Sequence, residues 1–329
     1  MDWNNCNSFV DIIVWIFLFA LSDIYAIMTI IKLKSPFPYF GSKKRVADVI
    51  WSGLGNVSNY VEPFCGSLAI LLANHNIPKI ETVNDLDSVL VNFWRSVSKN
   101  PDEVAKYADF PVSQVELHAR HTWLIENLTD DFRYKMEHDP EFFDSKMAGY
   151  WIYGQSASIG DNWLKTKGLK ALPLLSSAGG GIRGLTYDIF EQFKKLQERL
   201  RRVRITCGDW KKIVSPSITY NNIGLGPKDI TGVVLDSPYS LESRDKVYRE
   251  ESNIYKEVCK WAIDNGDHSK MRLVVCGYDG DVIFPDNWTK YNWKSSGLGN
   301  RSNDRGRENS SREVIYFSPN CLPISLPIG

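Results

Sequence analysis

The chain has 329 residues, 43% of them hydrophobic and 24% charged, with a formal net charge of +0. This composition excludes disorder of the whole chain. It also excludes a protein that coats nucleic acid through a globally basic surface, so any such contact must come from locally clustered charge. The length suffices for one α/β core plus an inserted module, because single cores stop growing near about 250–300 residues.

The N-terminus is strongly apolar from residue 9 to residue 31, but Asp11 and Asp23 leave only Ile12 to Leu21, plus Ser22, uninterrupted. That is about half of the ~20 residues a bilayer span needs. No Lys or Arg precedes the run and no small-residue cleavage site stands out, which argues against a signal peptide. Residues 1–27 are read as an apolar extension without a functional role, with a docked helix and a membrane anchor as alternatives.

Short apolar or β-branched runs predict strands at Asn59 to Val61, Ile80 to Val83, Val203 to Thr206, Gly232 to Leu235, Arg272 to Cys276 and Glu313 to Phe317. Helical patterns lie at Ser67 to Asn74, Ser88 to Ser98 and Tyr187 to Arg202. Strands alternating with helices imply a doubly wound, mostly parallel sheet covered on both faces. Residues 100–184 break the alternation, are rich in aromatic and polar side chains and close on Gly179 to Gly181, which marks an insert between 28–99 and 185–329. The stretch from Lys294 to Arg312 has almost no apolar side chain and reads as a long surface loop.

The six cysteines, Cys6, Cys65, Cys207, Cys259, Cys276 and Cys321, form no C-x-x-C pair, and the five histidines show no ligand spacing. Neither a metal site nor a disulfide framework is expected, and a reducing compartment fits. Lys194, Lys195, Arg199, Arg201, Arg202 and Arg204 lie on or after an amphipathic helix and read as a solvated face. Trp151, Tyr153, Trp163 and Arg183 fall in the insert, where aromatics are core as often as they are wedges that stack on bases.

The strongest local motif is Val233-Val234-Leu235-Asp236-Ser237-Pro238-Tyr239, an apolar strand ending in an acid, a stiffened turn and an aromatic. Ligands of doubly wound sheets sit beyond the carboxyl ends of the strands, so Asp236 and Tyr239 are expected at the cleft. A carboxylate and a rigid carbonyl accept the two N–H bonds of an amine, while an aromatic face stacks on a base. A second motif, Glu62-Pro63-Phe64-Cys65-Gly66-Ser67, is a small-residue turn into an apolar helix, where a ligand can approach the backbone. Asp85 follows about twenty residues on, where a ribose diol is held in nucleotide-binding βαβ units, and Asp209 ends the next strand.

Together these residues resemble the D12 class of DNA adenine N6-methyltransferases, and more closely the DNA adenine methylases of phages and mobile elements. The resemblance runs from Pro36 to Leu322. Tyr39-Phe40-Gly41-Ser42-Lys43 is similar to the family's opening element, Glu62 to Ser67 to its cofactor motif, and Asp236 to Tyr239 to its catalytic Asp-Pro-Pro-Tyr. Two positions depart from the family: Leu68 stands where it usually has glycine, and Ser237 where it usually has a second proline.

The resemblance implies a seven-stranded Rossmann-like methyltransferase sheet, with the insert as a mainly helical target-recognition domain. It implies S-adenosyl-L-methionine as cofactor, held by Tyr39, Lys43, Glu62, Phe64, Gly66, Asp85 and Asp209. The substrate it implies is a flipped-out adenine in double-stranded DNA, handled by Asp236, Ser237, Pro238 and Tyr239. DNA contacts are expected from Arg183, Arg301, Arg305 and Arg307. A cytoplasmic location without metal or membrane, and a cognate restriction enzyme as partner, complete the expectation. Cytosine N4 methylation and a catalytically weakened DNA-binding protein are the alternatives.

Overall fold

A computed structural model describes residues 33–74, 76–158, 164, 172–175, 188–240, 253–294 and 311–324. The chain divides into two compact units, Met1–Leu33 and Lys34–Gly329, and every element below belongs to the second. The apolar N-terminal run therefore lies outside the described residues.

Four parallel crossovers build the centre of the sheet. Strands β1 (Asn59–Glu62) and β4 (Thr231–Leu235) are buried at every position, as expected of strands covered on both faces. β2 (Ile80–Asp85) and β3 (Val203–Cys207) extend the sheet on one side of β1, and β4 and β5 (Met271–Tyr278) extend it on the other. β7 (Glu313–Phe317) then runs antiparallel between β5 and β6 (Thr289–Asn292), giving the order β3-β2-β1-β4-β5-β7-β6. The sheet is seven-stranded and mostly parallel, as a Rossmann-like methyltransferase requires. Its strand order reverses between β1 and β4, and ligands of such sheets sit in the crevice at that reversal.

All six expected strands are present. β6 was not foreseen, because Thr289 to Asn292 carries no apolar alternation and forms an edge with mostly exposed side chains. The expected surface stretch 294–312 connects β6 to β7; its residues 295–310, with Arg301, Arg305 and Arg307, lie outside the described residues, as does Arg183.

The described residues form nine helices. After α1 (Ala47–Leu54) come α2 (Ala69–Ala73) and α3 (Ser88–Lys99), whose N-terminus is capped by the Asp87 carboxylate through the backbone N–H of Val89 and Leu90. Within residues 100–184 lie α4 (Pro101–Ala108), α5 (Gln114–Asn127), α6 (Asp130–His138) and α7 (Ser145–Ala157). Pro101 opens α4 at a position where its missing N–H costs nothing, and Ser113, Thr129 and Asp144 cap the next three helices. α8 (Ile189–Leu200) leads into β3, and α9 (Tyr255–Asn265) into β5.

α7 is almost wholly buried and packs on α3, α4 and α5. The Trp151 ring lies 5.0 Å from Phe37 and 5.5 Å from Phe93. Trp151 and Tyr153 are thus core residues and not wedges offered to a base, while Trp163 lies outside the described residues.

One basic residue departs from the expected solvated face. Lys194, Arg201, Arg202 and Arg204 are exposed and Lys195 is half-buried, but the Arg199 side chain is 8% exposed and donates to both Glu81 oxygens at 2.7 and 2.6 Å. A buried carboxylate on β2 demands a partner, and a bidentate guanidinium on the facing helix supplies it.

Candidate active site

One cleft opens along the carboxyl ends of β3, β2, β1 and β4. It is lined by the 39–43 segment, the turn from Glu62 to Ser67, Asn84 to Asp87, Gly208 to Lys211, and Asp236 with Pro238. All seven residues expected at the cofactor lie on its wall.

The turn after β1 is shaped by two left-handed residues. Gly66 has φ +44, and a Cβ there would stand 2.8 Å from the Tyr39 ring, so the glycine admits both the turn and the aromatic. Leu68 has φ 53 and ψ 25, which makes it the sole non-glycine residue at positive φ among the described residues. Leucine therefore adopts the conformation that suits the family's glycine. The turn keeps that shape, and a fully buried side chain offsets the backbone cost.

Asp85 ties this turn to the next strand. Its Oδ2 accepts from the Gly66 N–H at 3.0 Å and its Oδ1 from the Asp87 N–H at 3.0 Å. Burial pushes its pKa up to about 6, against the opposing hydrogen bonds from Asp87 and Gly66. Asn84, beside it, was not foreseen as part of the site. Its amide donates to the carbonyls of Pro63 at 3.1 Å and Gly208 at 2.9 Å, clamping the turns after β1 and β3.

Glu62 is buried and accepts from the Tyr60 hydroxyl at 2.9 Å. Burial raises its pKa to about 8; the Tyr60 bond opposes this, and the negative charges of Asp236 and Asp85 add to it. Phe64 and Trp210 face each other at 6.0 Å with a 37° tilt, forming a second aromatic wall. Asp209 is exposed and caps the 3-10 turn Trp210–Lys212 through the Lys211 N–H at 2.9 Å.

The residues after β4 meet a cation. Lys43 is buried, donates to the Gly41 carbonyl at 2.8 Å and stands 2.8 Å from Asp236 Oδ1. Burial works to lower its pKa, but the Asp236 and Glu313 carboxylates outweigh that effect and hold the ammonium above the usual lysine range. Burial likewise raises the Asp236 pKa against the pull of Lys43. Lys43, expected to serve the cofactor, is thus also the direct partner of the expected catalytic acid.

Pro238 lines the cleft, whereas Ser237 and Tyr239 are buried beside it, with Tyr239 only 7% exposed. The Tyr239 ring packs edge-on against Tyr278 at 4.7 Å and has the Lys43 ammonium 5.2 Å from its centroid. Its hydroxyl donates to Glu313 Oε2 at 3.0 Å. The Ser237 hydroxyl is buried with no hydrogen-bond partner among the described residues. Glu313 was not foreseen as part of this site, although an acid opening the otherwise apolar run EVIYF was a visible signal.

Among the described residues no group of His, Cys, Asp and Glu could hold a metal ion, and no helix is long and apolar enough to cross a membrane. Residues 39–143 match the family of D12 class N6 adenine-specific DNA methyltransferases. The match includes the turn after β1 and Asp85 and continues through α4, α5 and α6. Over those residues it bears out the resemblance to the D12 class and supports methylation of adenine in DNA; it does not extend to Asp236–Tyr239 or to a likeness to phage and mobile-element methylases. No curated protein matches the chain.

Proposed function

We propose that the protein transfers the methyl group of S-adenosyl-L-methionine to the N6 amine of an adenine rotated out of double-stranded DNA. The observation that carries this reading is the convergence, at the strand-order reversal, of the Glu62-to-Asp85 cradle with the Lys43–Asp236 pair.

The cradle suits the cofactor chemically. Phe64, Trp210 and Tyr39 offer flat surfaces to a purine, and Asp85 offers acceptor oxygens to a ribose diol. Glu62 suits a ligand bearing cationic ammonium and sulfonium groups. S-adenosyl-L-methionine supplies an electrophilic methyl on that sulfonium.

The chain's own groups do the rest. Asp236 accepts a hydrogen bond from the target amine and, with the Ser237 carbonyl, turns the nitrogen lone pair toward the methyl. As the N–C bond forms and the S–C bond breaks, the electron pair of the latter stays on sulfur. The proton then shed by the nitrogen has the Asp236 carboxylate beside it. Lys43 keeps that carboxylate ionised against its burial. Catalysis of this kind is mostly positioning, which can contribute several kcal/mol. Stacking the base on Tyr239 requires its ring to be uncovered when DNA enters, and extruding the base costs a few kcal/mol. Residues 100–184 act as the target-recognition region, and Arg183, Arg301, Arg305 and Arg307 contact phosphates.

Single-molecule sequencing of DNA from cells expressing the protein tests the reading. N6-methyladenine in a fixed context is expected. N4-methylcytosine in its place overturns the choice of base, and unmodified DNA together with intact S-adenosylhomocysteine binding overturns the assignment as an active enzyme.

A further inference from the structure

We propose that Glu313 is a positioning residue for the reaction: it takes the phenolic proton of Tyr239, which anchors that ring and leaves Asp236 free to accept from the target amine. This inference rests on the function proposed above.

A phenol has one proton to donate, and the Tyr239 hydroxyl lies within reach of two carboxylates, Asp236 and Glu313. The hydroxyl's direct contact at 3.0 Å is with Glu313 Oε2, while it also stands near enough to Asp236 to work against the rise of that acid's pKa. Were the proton sent to Asp236, that carboxylate would enter the reaction with a lone pair already used. Charge counting leads the same way. One buried ammonium, Lys43, serves both carboxylates, and its short contact of 2.8 Å goes to Asp236. Among the described residues Glu313, 6% exposed, finds its hydrogen bond in the phenol, and the two needs are met by one contact.

The placement is a property of the sheet. β7 runs antiparallel to β5 and pairs Glu313 with Tyr278, the residue whose ring packs edge-on against Tyr239. Glu313 therefore holds the hydroxyl end of Tyr239 while Tyr278 holds the ring. A ring held at both places keeps its orientation when its face is uncovered for a base.

The test compares Glu313→Ala and Glu313→Gln, each alone and combined with Tyr239→Phe, by kcat, KM for DNA and S-adenosylhomocysteine affinity. Glutamine still accepts the phenolic proton and alanine does not. Glu313→Ala should lower kcat by about thirtyfold or more, and Glu313→Gln by no more than about fivefold, with cofactor affinity within about threefold in both. In the Tyr239→Phe background neither change should alter kcat by more than about threefold, since the shared contact is already gone. Should Glu313→Ala fail to fold, Tyr239→Phe removes the same contact from its other side: it should lower kcat by about thirtyfold or more, and a fully active Tyr239→Phe variant overturns the inference. Equal losses for alanine and glutamine, or the same loss with and without the Tyr239 hydroxyl, overturn the inference. A wild-type protein that methylates adenine alongside a fully active Glu313→Ala variant overturns this inference only. A wild-type protein that leaves adenine unmodified overturns the proposed function, and this inference with it.

Discussion

The ammonium of Lys43 lies 2.8 Å from the carboxylate of Asp236, joining the segment before α1 to the end of β4. Both groups are largely withdrawn from water, and each is the other's principal compensation for that. Asp236→Ala is expected to abolish methyl transfer while leaving S-adenosylhomocysteine affinity within a few fold. Lys43→Met leaves Asp236 and Glu313 without their cation, and should cost about 3–5 kcal/mol of stability by urea denaturation, the range for breaking a buried pair. A stable, fully active Lys43→Met protein would show that the pair is dispensable.

Asp85 holds the turn after β1 through the Gly66 N–H and is the residue proposed above to meet the cofactor ribose. Replacing it with alanine should weaken S-adenosyl-L-methionine binding by roughly 1.5–3 kcal/mol, the range for a hydrogen bond to a charged group. Calorimetry that finds unchanged affinity would remove Asp85 from the site.

Glu62 offers a proton-linked measurement. Its pKa in the folded protein is about 8, against an ordinary 4.5, so the fold favours the protonated form. The contribution of this group to stability is complete below about 4.5 and is lost as the pH rises through about 8. A cationic ligand favours the carboxylate, so cofactor binding at neutral pH should release a proton, read as a buffer-dependent calorimetric enthalpy. Glu62→Gln should remove most of that dependence. An identical proton count in the variant would place the ligand's charge elsewhere.

Leu68 sets two effects against each other. Leu68→Gly relieves a left-handed leucine, a gain of about 1–2 kcal/mol, but empties a fully buried site, a loss of about 2–5 kcal/mol. Net destabilisation is therefore expected, with the cofactor turn unchanged. A variant more stable than the parent in urea would mean that the strain dominates.

The connection between β6 and β7 carries Arg301, Arg305 and Arg307. If these contact phosphates, replacing all three by alanine should flatten the log–log salt dependence of DNA binding by roughly two to three units, at about 0.9 per contact, and leave cofactor binding alone. An unchanged slope would rule the contacts out.

Elements that depend on neighbours along the chain were legible before the fold was known. β4 was legible because a strand buried on both faces reads as a nearly continuous apolar run. α3 and α8 were legible from helical patterns along the chain, with Ile189, Phe193, Leu196 and Leu200 on one stripe of α8. The cofactor turn and the Asp-Ser-Pro-Tyr motif were equally visible, since each is a contiguous string whose chemistry is carried by its own residues. Tertiary structure alone decided what depends on which strands become neighbours. The amphipathic pattern of α8 put Arg199 among solvated charges, and only the packing of that helix over β2 made it the partner of Glu81. The edge strand β6 exists because β7 offers it a ladder, not because Thr289 to Asn292 favours a strand. Lys43, Asp236, Tyr239 and Glu313 meet through three separate segments, and their charges interact strongly because the sheet removes them together from water, a term that no residue carries before the chain folds.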